Sequence, residues 1–260
     1  MNGLLLRELN DGVLRLTLND AASRNSLSAA MIDALLGAIA GCQARAIIIA
    51  ANGPAFSSGH NLKEITAHRA DADEGMAYFK DLFDKCATLM LAITQHPCPV
   101  IAEVDGLASA AGCQLVASCD LAIATDRSTF CTPGVNIGLF CSTPMVAVSR
   151  VANRKHAMEL LLTGDVFSAA DAMRMGLINR VVTHNELKAA TDELASKIAS
   201  KSSAAIRIGK LAFDAQLQMP VADAYSLMVQ IMADNLLIND AKEGIGAFIQ
   251  KRHPKWEQDT

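Results

Sequence analysis

Residues 55–64 read Ala55-Phe56-Ser57-Ser58-Gly59-His60-Asn61-Leu62-Lys63-Glu64, and the organisation of the chain follows from what stands on either side of them. Before them, Ala46 to Ala51 carries three consecutive isoleucines and is closed by the Asn52-Gly53-Pro54 turn, the pattern of a buried, parallel strand. Within them, small residues lead to Asn61 and Glu64 at capping-box separation, so a short helix is expected to start there. The arrangement recurs. A strand from Val100 to Val104 runs into Asp105-Gly106-Leu107-Ala108-Ser109-Ala110-Ala111-Gly112-Cys113-Gln114, small residues turning into a helix that ends near Ser118; a strand from Asp120 to Thr125 follows.

Working outward, Leu4 to Leu9 and Val13 to Leu18 read as strands joined by the Asn10-Asp11-Gly12 turn, and Ser28 as the N-cap of a helix ended by Gly41. Helical spacing from Asp73 to Gln95 stops before Pro97 and Pro99. From Ser142 the pattern is almost wholly helical, with one strand at Leu177 to Val182 and helices near 184–200, 203–218, 221–238 and 240–250. Residues 1–200 are read as a strand-rich core and 201–260 as a helical region that packs on the core or on a neighbouring subunit. Its apolar residues Leu227, Met228, Ile231, Met232, Leu236, Leu237 and Ile238 exceed what one small core needs.

At 260 residues, 51% hydrophobic and 19% charged, the chain can bury a large core without staples. A net charge of −4 gives no basic excess for tracking phosphates, so nucleic acid is not an expected partner. Apolar runs such as Leu115 to Ala124 are cut by charge long before the roughly 20 residues that cross a bilayer, so no membrane is expected either. Seven cysteines without a Cys-x-x-Cys pair read as reduced thiols, and residues from Met1 onward show no basic leader; a cytoplasmic location is the expectation. No His/Cys ligand spacing suggests a metal, and no cofactor is expected.

Loop-to-helix transitions built from Gly, Ala and Ser leave peptide N–H groups uncrowded, and at a helix N-terminus these lack intrahelical acceptors. Such donors can meet a developing oxyanion. Residues 55–64 closely resemble the first signature of the enoyl-CoA hydratase/isomerase (crotonase) family, and Gly106 to Asp120 resembles its second. The stretch Asn19 to Leu27 with Arg24-Asn25-Ser26-Leu27, Thr132-Pro133 with Gly138, Gly164 to Leu177, and Glu243-Gly244 through Ala247-Phe248 to Lys251-Arg252 extend the likeness over nearly the whole chain.

The resemblance implies an α/β fold: a crotonase-like ββα spiral core with a C-terminal helical trimerisation region, in a homotrimer or hexamer. It implies an acyl-CoA thioester, with coenzyme A as part of the substrate, whose carbonyl lies between the N–H groups of His60 and Ala111. Residues implied to bind substrate or CoA are Arg24, Ser26, Ser57, Ser58, Asn61, Leu62, Lys63, Leu107, Thr132, Pro133, Cys141, Phe248 and Lys251.

Family hydratases carry a Glu three residues after the second N–H donor and another directly after the Pro of the third motif; here these are Gln114 and Gly134. Adding water across a conjugated double bond needs a base for the water and an acid for the α-carbon. Ordinary hydration is therefore not expected. Glu103, Asp105 and Asp120 read as structural carboxylates. Lyase or isomerase chemistry through an enolate is the leading expectation. One alternative is a malonyl-type acyl-CoA decarboxylase with His60 as the remaining ionisable group, although the Tyr of such enzymes falls near Cys141; another is a non-catalytic acyl-CoA binding protein.

Overall fold

The computed structural model describes residues 3–257, so Met1, Asn2 and the last three residues of the 201–260 region lie outside the described residues. Strands β1 (Leu5–Asn10) and β2 (Val13–Leu18) form an antiparallel hairpin. Asp11 and Gly12 both take left-handed backbone at its tip, the two-residue turn whose twist matches the strands. Ser28 caps α1 (Ala29–Ile39) by accepting a hydrogen bond from Met31 N.

The chain then winds as a spiral. Strand β3 (Ala46–Ala51) is followed by β4 (Ala55–Ser57) and helices α2 (Leu62–Ala67) and α3 (Met76–Thr94). Next come β5 (Val100–Val104), β6 (Leu107–Ser109) and α4 (Ala111–Ser118). The third turn comprises β7 (Leu121–Thr125), β8 (Thr129–Cys131), a 3-10 turn over Pro133–Ile137 and α5 (Ser142–Val151). Each turn adds one strand to a large sheet and one to a small sheet, and β2 to β3, β3 to β5, β5 to β7, β4 to β6 and β6 to β8 all pair in parallel. Helix α6 (Arg154–Thr163), β9 (Phe167–Ser168), α7 (Ala169–Met175) and β10 (Arg180–Val182) follow; β9 closes the small sheet and β10 the large one. This is the expected ββα spiral. Each three-residue strand of the small sheet lies inside a stretch that reads as loop, because it is too short to show alternation.

The isoleucine run is apolar on both sides because both are covered. Ile47 and Ile49 join the main core with Leu16, Phe56 and Val104, whereas Ala46, Ile48 and Ala50 face α8 (Leu187–Ala199) through Ala195. Each fully buried isoleucine stabilises the fold by roughly 1.5–3 kcal/mol. The parity of β5 puts Glu103 on this second face, where Arg15 holds it at 2.7 Å and also reaches Asp192 of α8.

Three further helices, α9 (Ser203–Leu217), α10 (Val221–Leu237) and α11 (Asn239–Ile249), pack on one another. Lys210 of α9 is 9% exposed; its Nζ donates to Ile93 O, Cys98 O and the Asp120 carboxylate, tying α9 to the end of α3 and the strand starts. No residue of α10 is buried within the chain. Of the apolar residues expected to be in excess, Leu227, Met228, Ile231 and Ile238 are half-buried, whereas Met232, Leu236 and Leu237 are exposed. With Tyr225 and Val229, Met232 and Leu236 make one helical stripe open to solvent. No single helix among the described residues is long and apolar enough to cross a membrane.

Candidate active site

The loops entering α2 and α4 are pressed together. Gly59 has φ +85°, and a Cβ built on it would lie 2.9 Å from Ser109 O and 3.1 Å from Ala111 N. Only glycine allows that approach without displacement. Behind it, a Cβ on Gly112 would lie 2.3 Å from Ser57 O, so α4 also packs directly on β4. Ala110, between them, holds φ +49° and ψ −114°, an unfavourable conformation for a residue with a side chain. Strain of this kind persists where the surroundings enforce it.

The backbone N–H groups around this contact divide into paired and unpaired. Ser58 N donates to Arg24 O, Gly59 N to Ser57 Oγ and Ala110 N to Cys131 O. The N–H groups of His60 and Ala111 have no acceptor among the described residues. Ala111 is the first residue of α4, so its N–H is one of the orphan donors at the positive end of the helix. Asn25 fixes the His60 side: fully buried, it donates to Asn52 O and Ala55 O and accepts from Asp20 N. Its left-handed backbone had no reading in the sequence beyond membership of a motif.

The His60 imidazole packs edge-on against Phe83 at 5.2 Å, and its Nε2 is buried without a partner. Burial pushes its pKa down to about 4. Folding therefore favours the neutral ring. A histidine held below its ordinary value contributes stability that is complete above about pH 6.5 and is lost as the pH falls toward 4. Urea unfolding of the wild type should lose about 3 kcal/mol across that window that a His60→Gln variant keeps. Equal losses in the two proteins would refute the burial of this ring.

Gln114 stands one helical turn beyond Ala111 on the same face of α4; it is 4% exposed and its Oε1 has no partner. A Cβ on Gly134 would meet Leu139 O at 2.8 Å and Cys141 Sγ at 3.0 Å, so Cys141 occupies the space beside that position. Burial pushes the Cys141 thiol up.

Several other expected contacts are engaged within the chain. Ser57 Oγ donates to Asn25 O, Ser58 Oγ to Ser23 O and Thr132 Oγ1 to Leu160 O. Asn61 caps α2 by accepting from Lys63 N and Glu64 N, and its amide donates to Glu64, to which Tyr78 also donates. Ser26 Oγ is buried without a partner. Arg24, Leu62 and Lys63 are exposed, and Leu107 and Pro133 are half-buried. Phe248 and Lys251 lie at the end of α11, with Phe248 85% exposed. Asp105, in the turn after β5, binds Arg127 through both oxygens and accepts from Thr125; Arg127 holds its carboxyl below the usual range. No group of His, Cys, Asp and Glu among the described residues could hold a metal ion.

The enoyl-CoA hydratase/isomerase family profile matches residues 8–259. The chain is 49% identical over 250 residues to mouse enoyl-CoA hydratase domain-containing protein 3, covering 95% of this chain and 82% of that one. The human protein of the same name is 47% identical over 253 residues, covering 96% and 82%. The crystal structure of that human protein superposes with a TM-score of 0.93 at 46% identity, covering 98% of this chain and all of the other. The crystal structure of an enoyl-CoA hydratase from Mycobacterium smegmatis also gives 0.93, at 45% identity and 98% and 99% coverage. The mouse, rat, human, frog and zebrafish relatives are all named as mitochondrial, which overturns the cytoplasmic expectation. Reduced thiols mark a reducing compartment without saying which one.

Proposed function

The chain belongs to the enoyl-CoA hydratase/isomerase family, and from that premise we propose that it binds an acyl-CoA thioester whose carbonyl oxygen lies between the N–H groups of His60 and Ala111, supporting lyase or isomerase chemistry through an enolate. The observation that carries this reading is the pair of N–H groups, His60 and Ala111, without an acceptor among the described residues on two loops pressed together at Gly59, next to Gly59 N and Ala110 N, which are paired. Preorganised donors of this kind stabilise a developing oxyanion by roughly 3–4 kcal/mol each. They are backbone groups, so the side chains at 60 and 111 are free to vary. Neutral His60 lacks the ready proton that the decarboxylase alternative asks of it.

Butyryl-CoA is expected to bind with micromolar affinity and to raise the melting temperature. Ala111→Pro removes one donor at a first helical position, where proline is tolerated, and should weaken binding by at least about tenfold. The conformation of Ala110 before a proline carries its own cost, so Gly59→Ala serves as a second variant. Calorimetry with circular dichroism on both would decide: folded variants that bind like the wild type would overturn the assignment.

Residues 1–200 form the substrate-binding core in this reading, and 201–260 the assembly region. The solvent-open stripe Tyr225, Val229, Met232 and Leu236 supports a trimer or a dimer of trimers, with Phe248 and Lys251 available to a neighbouring subunit. Light scattering should give that mass. A monomer at micromolar concentration would refute it.

A further inference from the structure

An open groove of about 370 Å³ runs between α8 and α9 over the starts of β5 and β7. Pro99 precedes β5 and Leu121 opens β7, whereas the loops that carry His60 and Ala111 leave the far ends of β3 and β5. The groove and the N–H pair are thus separated by the length of β5, about 16 Å. Its walls are apolar. Leu121 and Ile198 pack on the second core cluster behind them, Ile206 is half-buried, and Phe213 is 60% exposed.

The charges in the groove do not balance. Lys210 is the sole cation lining it among the described residues, and its three N–H donors are spent on Ile93 O, Cys98 O and Asp120. Asp214 stands one turn beyond Lys210 on α9, the spacing at which a lysine and a carboxylate ordinarily pair. With Lys210 turned to Asp120, Asp214 makes no hydrogen bond or ion pair among the described residues. Burial pushes the Asp120 carboxyl up against the pull of Lys210, and Asp214 adds to the rise, so the two carboxylates feel each other.

We infer that this groove binds a small lipophilic ammonium, one ring or short chain lying against Phe213 and Ile206 with a primary amine that donates to Asp214. The alternatives fail on chemistry. An anion finds no free donor on Lys210. A neutral apolar body would cover the Asp214 carboxylate and strip its water with nothing in return. A cation with an apolar body pairs the carboxylate and covers the Phe213 ring at once. The volume is at the small end of the roughly 300–1,000 Å³ of ligand pockets, which limits the body to a single ring or a chain of similar size.

The test is calorimetric titration with phenethylammonium, 2-phenylethanol and 3-phenylpropionate, three probes of one shape and different charge. Phenethylammonium is expected to bind at least about tenfold tighter than 2-phenylethanol, and 3-phenylpropionate more weakly than either. Asp214→Asn keeps the shape and removes the charge, so the ratio of amine to alcohol should fall to about one. Phe213→Ala should weaken amine and alcohol alike, by about fivefold. The free Asp214→Asn protein should melt no lower than the wild type, because the carboxylate has no partner to lose; a fall of more than about 2 °C would give Asp214 a structural role and overturn the inference. Equal affinity for amine and alcohol, tighter binding of 3-phenylpropionate, a preference that survives Asp214→Asn, or amine binding unchanged in Phe213→Ala would each overturn it as well.

Discussion

Crotonyl-CoA will be hydrated at least about a thousandfold more slowly by this protein than by a family member carrying both glutamates, because each positioned acid or base contributes roughly 10²–10⁴-fold. Gln114 cannot titrate and Gly134 has no side chain. The structure leaves few substitutes. Glu103 is held by Arg15 on the α8 face of the large sheet, Asp105 is clasped by Arg127, and Glu64 accepts from Asn61 and Tyr78. Stopped-flow loss of the enoyl absorbance would measure the rate; hydration at family-like speed would refute the expectation and point to Glu64 on α2. Restoring the acids is unequal work. Gln114→Glu is nearly isosteric, whereas a side chain at Gly134 meets Leu139 O and Cys141 Sγ, so the segment 139–141 must shift. The backbone of Gly134 is not left-handed, so the obstacle is space. Gln114→Glu with Gly134→Glu and Cys141→Ala should therefore regain more hydration than the double variant alone.

Lys210→Ala is expected to bring a large loss of stability from one polar side chain outside the site. The ammonium is nearly buried and satisfies two backbone carbonyls and Asp120, itself 27% exposed and bonded to Val100 N. Removing one partner of such a pair costs about 3–5 kcal/mol when burial is complete; about 3 kcal/mol is expected here. For a chain of this size that is a fall of roughly 6–12 °C in melting temperature. Calorimetry would show it, and a shift below about 2 °C would mean that α9 is anchored by its apolar contacts alone.

The spiral was legible because the central strand of its large sheet is apolar on both faces, Ile47 to Ile49, and because glycine and proline mark the turns. The small sheet was not, since a three-residue strand such as Ala55–Ser57 has no period to read. At the site, small residues around Gly59 and Ala111 marked two loop-to-helix turns, whereas naming His60 and Ala111 as N–H donors rested on the family resemblance. The neutrality of His60 could not be read, as it depends on burial beside Phe83, a residue of another helix. Lys210 had no signal at all: a lysine on an apolar helix reads as solvated, and its partners are distant in sequence. Conversely, Thr132 and Ser57 look like ligand-facing hydroxyls in a motif, yet each spends its proton on a main-chain carbonyl.

The two N–H donors come from successive turns of the spiral about fifty residues apart, so their pairing is a long-range contact that exists only after the second turn has docked on the first. A nascent or partly opened chain has half a cradle and nothing to hold the other half against it. Any thioester that uses the cradle must then bind the native state alone and shift the folding equilibrium toward it by mass action.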